Sequence, residues 1–278
     1  MVQLNNVELG YVKKRPLFNG VTLHLEPGHL YGLLGRNGAG KTTLLKIMTG
    51  LLFPQNGEAI LEGQPSSKRT AEQLQNVYFL QEEIYVPHLK ISQFEAAFAP
   101  FYPNFSHEQF TEYLREFEMD NMLGFIDKFS HGQKKKVMIA FALATNVPLL
   151  IMDEPTNGLD IPSKSTFRKI MASYADEQKT VLISTHQVRD LHSLIDAVSI
   201  IDNGRMILNA PADVITDKLL FDVNDEKSED GKVFYTEETP RGIYQVKENC
   251  NHVDSALDLE LLFNAAVQNK KEFTEMFQ

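Results

Sequence analysis

The stretch GRNGAGKT spans residues 35–42. It fits the pattern G-x-x-x-x-G-K-[ST], and its surroundings have the form that pattern needs. The segment before it, HLYGLLG, reads as a buried strand running into a glycine-rich turn. The segment after it, KTTLLKIMTG, has helical periodicity and stops at Gly50. Glycines let backbone N–H groups wrap a phosphate, and the helix N-terminus adds a favourable dipole. Lys41 can reach β- and γ-phosphates, and the Thr42 hydroxyl can ligate Mg²⁺. A strand, a phosphate cradle and a helix in that order predict a nucleotide site on an α/β scaffold.

Outward from this stretch, further buried strands alternate with helices. NVYFLQ (76–81), LLIMDEP (149–155), TVLIST (180–185) and AVSIID (197–202) are short apolar runs. Such runs, spaced by helices, imply a mainly parallel sheet covered on both faces. Residues 2–9 and 17–26 read as N-terminal strands, with VTLHLE alternating in the period of two. Residues 82–145 are aromatic and helical; EQFTEYLREFE puts Phe110, Tyr113, Leu114 and Phe117 on one face, the mark of a core. MIAFALAT (138–145) reads as a buried helix. Near residue 221 the composition shifts: DVNDEKSEDGK reads as a charged linker, KVFYTE and GIYQVKE as strands, and LDLELLFNAAV as a helix.

Composition sets bounds. A chain of 278 residues, 43% hydrophobic and 23% charged, can bury a sizeable core. Its net charge of −10 argues against a protein whose main task is to grip nucleic acid. Residues 221–278 carry 13 acidic and 6 basic side chains, so most of that charge lies at the C-terminal end. The single cysteine, Cys250, allows no intrachain disulfide and points to a reducing compartment. The N-terminus lacks a signal-peptide pattern, and no apolar run approaches the ~20 residues of a membrane span. Action at a membrane therefore implies docking on another protein.

LLIMDEP supplies the second half of the site. Asp153 at the end of a buried strand can hold Mg²⁺. Glu154 follows as a second carboxylate, suited to polarising an attacking water. Four more features complete the set, the first three being Gln81 at a strand end, FSHGQ (129–133) before Asp153, and GLD (158–160) after DEPTN. His186 ends the VLIST strand. In this order, the set resembles the ATPase subunit of the ATP-binding cassette (ABC) family over roughly residues 1–215.

That resemblance implies a P-loop NTPase core with an N-terminal antiparallel β-subdomain and an inserted helical subdomain at about 82–145. A small α+β extension, 216–278, would follow. It implies binding of ATP and Mg²⁺ by Gly35, Asn37, Gly38, Ala39, Gly40, Lys41, Thr42 and Thr43, with Tyr11 stacking on adenine. Thr42, Gln81 and Asp153 would serve the metal. Glu154 would be the general base, His186 would hold the γ-phosphate, and Gln81 would link the site to a membrane partner. Ser130, Gly132 and Gln133 would reach the ATP of a second subunit, identical or different, closing head to tail. Asp160 would sit at that seam. The family's helical subdomain contacts an integral membrane permease, which implies a cytoplasmic, peripheral location on the inner face of the cell membrane. The finer likeness is to stand-alone subunits of bacterial export systems. The competing reading is an ABC ATPase acting in assembly, repair or translation. A further, non-enzymatic one is a degenerate nucleotide-binding regulator, against which Lys41, Asp153, Glu154 and His186 all argue.

Against the family's common L-S-G-G-Q, this chain has Phe129 and His131. Ser130 and Gly132, the groups suited to approach phosphate, are both present, so a competent site is expected. Lys134–Lys136 read as a solvated helix face. The remaining histidines show no metal-ligand spacing.

Overall fold

The computed structural model describes residues 2–10, 16–119, 123–188, 191–224, 231–240 and 242–277. In chain order the elements are β1 (Val2–Leu9), β2 (Phe18–Leu25), β3 (Leu30–Leu34), α1 (Lys41–Met48), β4 (Asn56–Leu61) and β5 (Gln64–Pro65). Then come α2 (Ala71–Gln75), β6 (Val77–Leu80), α3 (Ile91–Phe98), α4 (His107–Glu116), α5 (His131–Ala144), β7 (Leu149–Asp153) and α6 (Ile161–Tyr174). The chain continues through β8 (Thr180–Thr185), β9 (Ala197–Asp202), β10 (Arg205–Pro211) and α7 (Ala212–Lys218). It ends with β11 (Leu219–Asn224), β12 (Val233–Thr239), β13 (Gly242–Glu248), α8 (Leu259–Gln268) and α9 (Lys270–Phe277).

The central sheet runs β10-β9-β3-β8-β7-β6. Pairing is parallel from β9 to β6, with β10 antiparallel on one edge. Alternate side chains of its strands enter two different cores. Leu33, Ile151, Leu182 and Ile201 pack with α1 and the N-terminal sheet, whose order is β2-β1-β4-β5. Leu34, Met152, Ile183 and Ile200 face the core that holds α5 and α6. Strands buried on both faces have no polar side to show, so they read as continuous apolar runs. The parallel order brings the ends of β3, β7 and β8 together above one edge, where α1 begins.

The helical insertion lies between β6 and β7, and its core is aromatic. Phe141 of α5 has ring centroids of Phe94, Phe105, Phe110 and Tyr78 at 4.9, 5.1, 5.8 and 6.0 Å. The stripe on α4 is buried as the spacing requires, with Phe110, Leu114 and Phe117 all in this core. One expected element changes, and two strands were not expected. The charged stretch from residue 221 is not all linker: Phe221–Asn224 belong to β11, paired with β13 in the sheet β11-β13-β12. Strands β4 and β10 escape the apolar-run reading because β4 opens on three exposed residues and Arg205 and Asn209 interrupt β10. Phe234, Leu259, Leu262 and Phe273 from the C-terminal end join the same large core as Met152.

Truncating Phe141 to Ala should destabilise the chain by about 3–5 kcal/mol, the usual range for a buried aromatic ring. Denaturant unfolding measures this. A loss below about 1 kcal/mol would show that the ring cluster does not hold the insertion together.

Candidate active site

The P-loop between β3 and α1 works through its glycines. Gly38 and Gly40 have φ of 79° and 98°, left-handed values that other residues rarely adopt. A Cβ on Gly40 would also lie 2.7 Å from the Phe18 ring. Gly40 is the N-cap of α1, so its backbone delivers the first free N–H groups of that helix into the loop. Lys41 follows at once. Its ammonium is buried, donates to the Gly35 carbonyl at 2.8 Å and lies 3.9 Å from Glu154 Oε1. Burial pushes the Lys41 pKa down, and the carboxylates of Glu154, Asp153 and Glu82 oppose that push.

The ends of β7 and β8 supply the acids. Asp153 and Ser184 are register partners, so the Ser184 hydroxyl donates to Asp153 Oδ1. Thr42 on α1 donates to the other oxygen, Oδ2, at 2.6 Å. Both carboxylate oxygens are thus held by hydroxyls, one from the neighbouring strand and one from the P-loop helix.

Glu154 leaves β7 with φ of 47°, a left-handed value for a residue with a side chain. This conformation costs about 1–2 kcal/mol and turns the chain sharply out of the strand. The peptide is fixed on both sides. Its N–H donates to Ser184 O at 3.0 Å, and its carbonyl accepts from Asn157 N at 3.2 Å and Lys135 Nζ at 2.6 Å. The carboxylate is buried, with Oε1 2.8 Å from His186 Nδ1. His186 is therefore anchored through Nδ1, which leaves Nε2 as its outward nitrogen.

These groups line one cavity of about 370 Å³, bounded by Asn37, Gly38, Gly40, Lys41, Thr42, Thr43, Glu82, Asp153 and Glu154. Gly35 lies beneath it, where a Cβ would meet the Ile201 carbonyl at 2.8 Å. Ala39 closes the turn, its N–H donating to Arg36 O at 3.0 Å. Gln81 is exposed just beyond β6, and its neighbour Glu82 is the side chain that lines the cavity. Glu82 accepts from Asn157 Nδ2 at 3.0 Å, and Gln187 donates to Asn157 at 2.9 Å. This chain joins the loops after β6, β7 and β8. Tyr11 lies outside the described residues.

The FSHGQ loop stands apart from that cavity, at the N-terminus of α5. Ser130 is the N-cap: its hydroxyl accepts from Gln133 N at 3.2 Å, and Gln133 Oε1 accepts from Ser130 N at 2.9 Å. This reciprocal pair fixes the first turn. Gly132 is set against GLD, since a Cβ there would lie 2.9 Å from Gly158 O. His131 is exposed and its ring abuts Gly158 from the same side. Asp160 caps α6 by accepting from Ser163 N at 2.9 Å, and hydrogen bonding from the Ser163 side chain and then its backbone holds the carboxyl below the ordinary range.

The reading of Lys134–Lys136 as a solvated face is corrected at Lys135, which is 0% exposed. The helix turns about 100° per residue, so three in a row span about 200° and, on a helix packed as deeply as α5, do not share one solvated face. Sequence reading also passed over Ser184 and Glu82. Ser184 had a signal, a polar residue inside an apolar strand next to Asp153; Glu82 had none. The other histidines are structural or solvated: His88 stacks on Phe125 at 3.8 Å, and His107 and His252 pair with Glu95 and Asp217. Among the described residues, no group of three or more His, Cys, Asp or Glu is placed to hold a metal.

Comparison with known proteins falls on these same residues. The pattern of the ABC transporter family matches residues 18–157. The chain is 33% identical over 229 residues to the ABC transporter ATP-binding protein NatA of Bacillus subtilis, covering 80% of this chain and 90% of that one. It is likewise 33% identical to the lantibiotic transport ATP-binding protein SrtF of Streptococcus pyogenes, covering 77% and 92%. A solved structure of an ATP-binding subunit of an ABC transporter superposes with a TM-score of 0.70 at 27% identity, over 77% of this chain and 91% of that one. The P-loop cradle and the acids at the end of β7 lie inside the family match at residues 18–157, and the chain belongs to the ABC transporter family, as one of its ATP-binding, ATP-hydrolysing subunits.

Proposed function

We propose that the chain closes head to tail with a second ATPase subunit around ATP and drives a separate membrane permease by hydrolysing it. The observation that carries this is the meeting of Lys41, Thr42, Asp153 and Glu154 at one cavity, with His186 bonded to Glu154, while the FSHGQ loop lies outside it. A loop built to meet an anion, yet absent from its own chain's cavity, fits the site of a partner.

The residues divide the work. The P-loop N–H groups and Lys41 hold the phosphates in line, so positioning and charge neutralisation do most of the catalysis. Glu154 takes the proton of the attacking water, and its carboxylate is aimed by His186 Nδ1. His186 Nε2 then faces the γ-phosphate. Ser130, Gly132 and Gln133 bring a preformed helix N-terminus to the second subunit's ATP. Asp160, capping α6 beside them, lies at the seam, and Tyr11 stacks on adenine.

Thr42 and Asp153 fit Mg²⁺. They are hard oxygen donors already 2.6 Å apart, one carboxylate and one hydroxyl, and Mg²⁺ characteristically completes such a set with phosphate oxygens and water. When bound, the metal neutralises charge on the phosphate oxygens. Gln81, exposed at the mouth, reports the state of the site to the permease.

A groove supports the permease. Leu51, Leu74, Phe79, Phe98, Phe101 and Tyr102 line an apolar cleft of about 420 Å³ between α1, α2 and the helical insertion. Phe101 is 62% exposed there. Among the described residues no helix is long and apolar enough to cross a membrane, so the spanning part of the system belongs to the permease in this proposal. FYPNFSHEQF and the trailing LDLELLF favour an export-type system, with residues 216–278 as its appended domain and the inner face of the membrane as its location.

Glu154→Gln should lower turnover by about 10²- to 10⁴-fold, the usual reach of a general base, while ATP binding and a closed dimer persist. Steady-state ATPase assays and size-exclusion chromatography with ATP read the two parts. Normal turnover in that variant would remove Glu154 from the role.

His131→Gly should leave turnover and its pH profile in place, because His131 reaches no group of the hydrolytic set. A changed turnover or pH profile in the variant would instead make His131 a participant in the site.

A further inference from the structure

Lys135 is a fully buried lysine that the mechanism above does not use. A buried cation needs compensation, and packing alone gives no reason for one, since a methionine would fill the same slot. Its ammonium donates to the Glu154 carbonyl at 2.6 Å, a charge-assisted bond. Burial lowers the Lys135 pKa, and the carboxylates of Glu82, Glu154 and Asp153 oppose it. Those are the carboxylates that bound the ATP cavity on one side, while Lys41 faces them from the other.

The contact falls at a sensitive place. Glu154 has a left-handed backbone, and this turn directs its carboxylate towards His186 and Lys41. Asn157 N also reaches the same carbonyl, but from within the same turn, at 3.2 Å. Among the described residues, Lys135 alone reaches it from another element. That element is α5, whose first turn is the Ser130–Gln133 capping box. Ser130 and Lys135 are five residues apart, about 7.5 Å along one rigid helix.

We propose that Lys135 is a positioning residue for Glu154, fixing the peptide that aims the base and fastening it to the helix that bears the FSHGQ loop. The inference rests on the reading of Glu154 as the base. It gives the first two turns of α5 a shared consequence. A displacement of the FSHGQ loop against a partner's phosphate is transmitted one and a half turns later to the base of the chain's own site. ATP binding, which depends on the P-loop, is left untouched.

Lys135→Met and Lys135→Arg, each alone and with Glu154→Gln, test this in the full chain with Mg²⁺ and ATP. Turnover is counted per ATP-competent site, so misfolded protein does not enter the result. Lys135→Met should lower kcat by about tenfold to a hundredfold, the effect of misplacing a reacting group by about 1 Å. KM and Kd for ATP should stay within about twofold, while thermal stability falls, since the carboxylates around Lys135 lose a compensating cation. Lys135→Arg, which keeps the donor, should recover part of the loss. In the Glu154→Gln background, Lys135→Met should add nothing, because the two act through one group. Unchanged kcat in Lys135→Met would overturn the proposal, as would a loss of kcat matched by an equal loss of ATP affinity at the ATP-competent sites. If Glu154→Gln alone turns over normally, the base assignment fails instead. If it is inactive while Lys135→Met is normal, only the positioning role falls.

Discussion

Two adjacent carboxylates, Asp153 and Glu154, are buried at the end of β7, and the site is built to make that tolerable. Isolated buried carboxylates are costly, so each must be met by hydrogen bonds or opposite charge. Asp153 is met by two hydroxyls, from Thr42 and Ser184. Glu154 is met by His186 and, at 3.9 Å, by Lys41. The compensating groups come from α1, β8 and the loop beyond it. The demand of two acids for partners therefore fixes how the P-loop, β7 and β8 must lie relative to one another.

Parallel pairing meets that demand cheaply. In the order β9-β3-β8-β7-β6, the strands end on the same edge, so every following loop opens onto the same space. The hydrogen-bond chain Glu82–Asn157–Gln187 runs through three of those loops. A change in one of them reaches the others without crossing the core. The apolar strands below are packed on both faces and leave little room to adjust, so rearrangement is confined to this rim.

Helix α5 has a second kind of duty. Its later turns, Val137–Ala144, are buried in the aromatic core around Phe141. Its first turn is a capped N-terminus facing outward, and Lys135 between them touches Glu154. A helix anchored this firmly at one end transmits displacement at the other rather than absorbing it. His131 fits the same picture. It occupies the usual glycine position of the motif by lying along Gly158, so the loop accommodates a ring without losing Ser130 or Gly132 as surface groups.

Much was legible in the residues alone. GRNGAGKT with its flanking strand and helix, the apolar runs of the sheet, and the order of Gln81, FSHGQ, DEP, GLD and His186 were enough for the fold and its family, because these signals are local or depend only on order. The stripe on α4 was legible because burial follows helical spacing. What chain order could not decide was which side chains meet across elements. Lys135 sits in a run of three lysines, and only the packing of α5 against the β7 loop determines that the middle one is buried. Glu82 and Ser184 enter the site because β6, β7 and β8 are neighbours in space. The strand hidden in Phe221–Asn224 exists because β13 offers it a partner. The sequence by itself determined the phosphate cradle, the acids and the scaffold, since glycine, lysine and apolar periodicity carry their physics with them. Only the tertiary structure decided how the acids are neutralised, because compensation of buried charge is a property of distance and not of order.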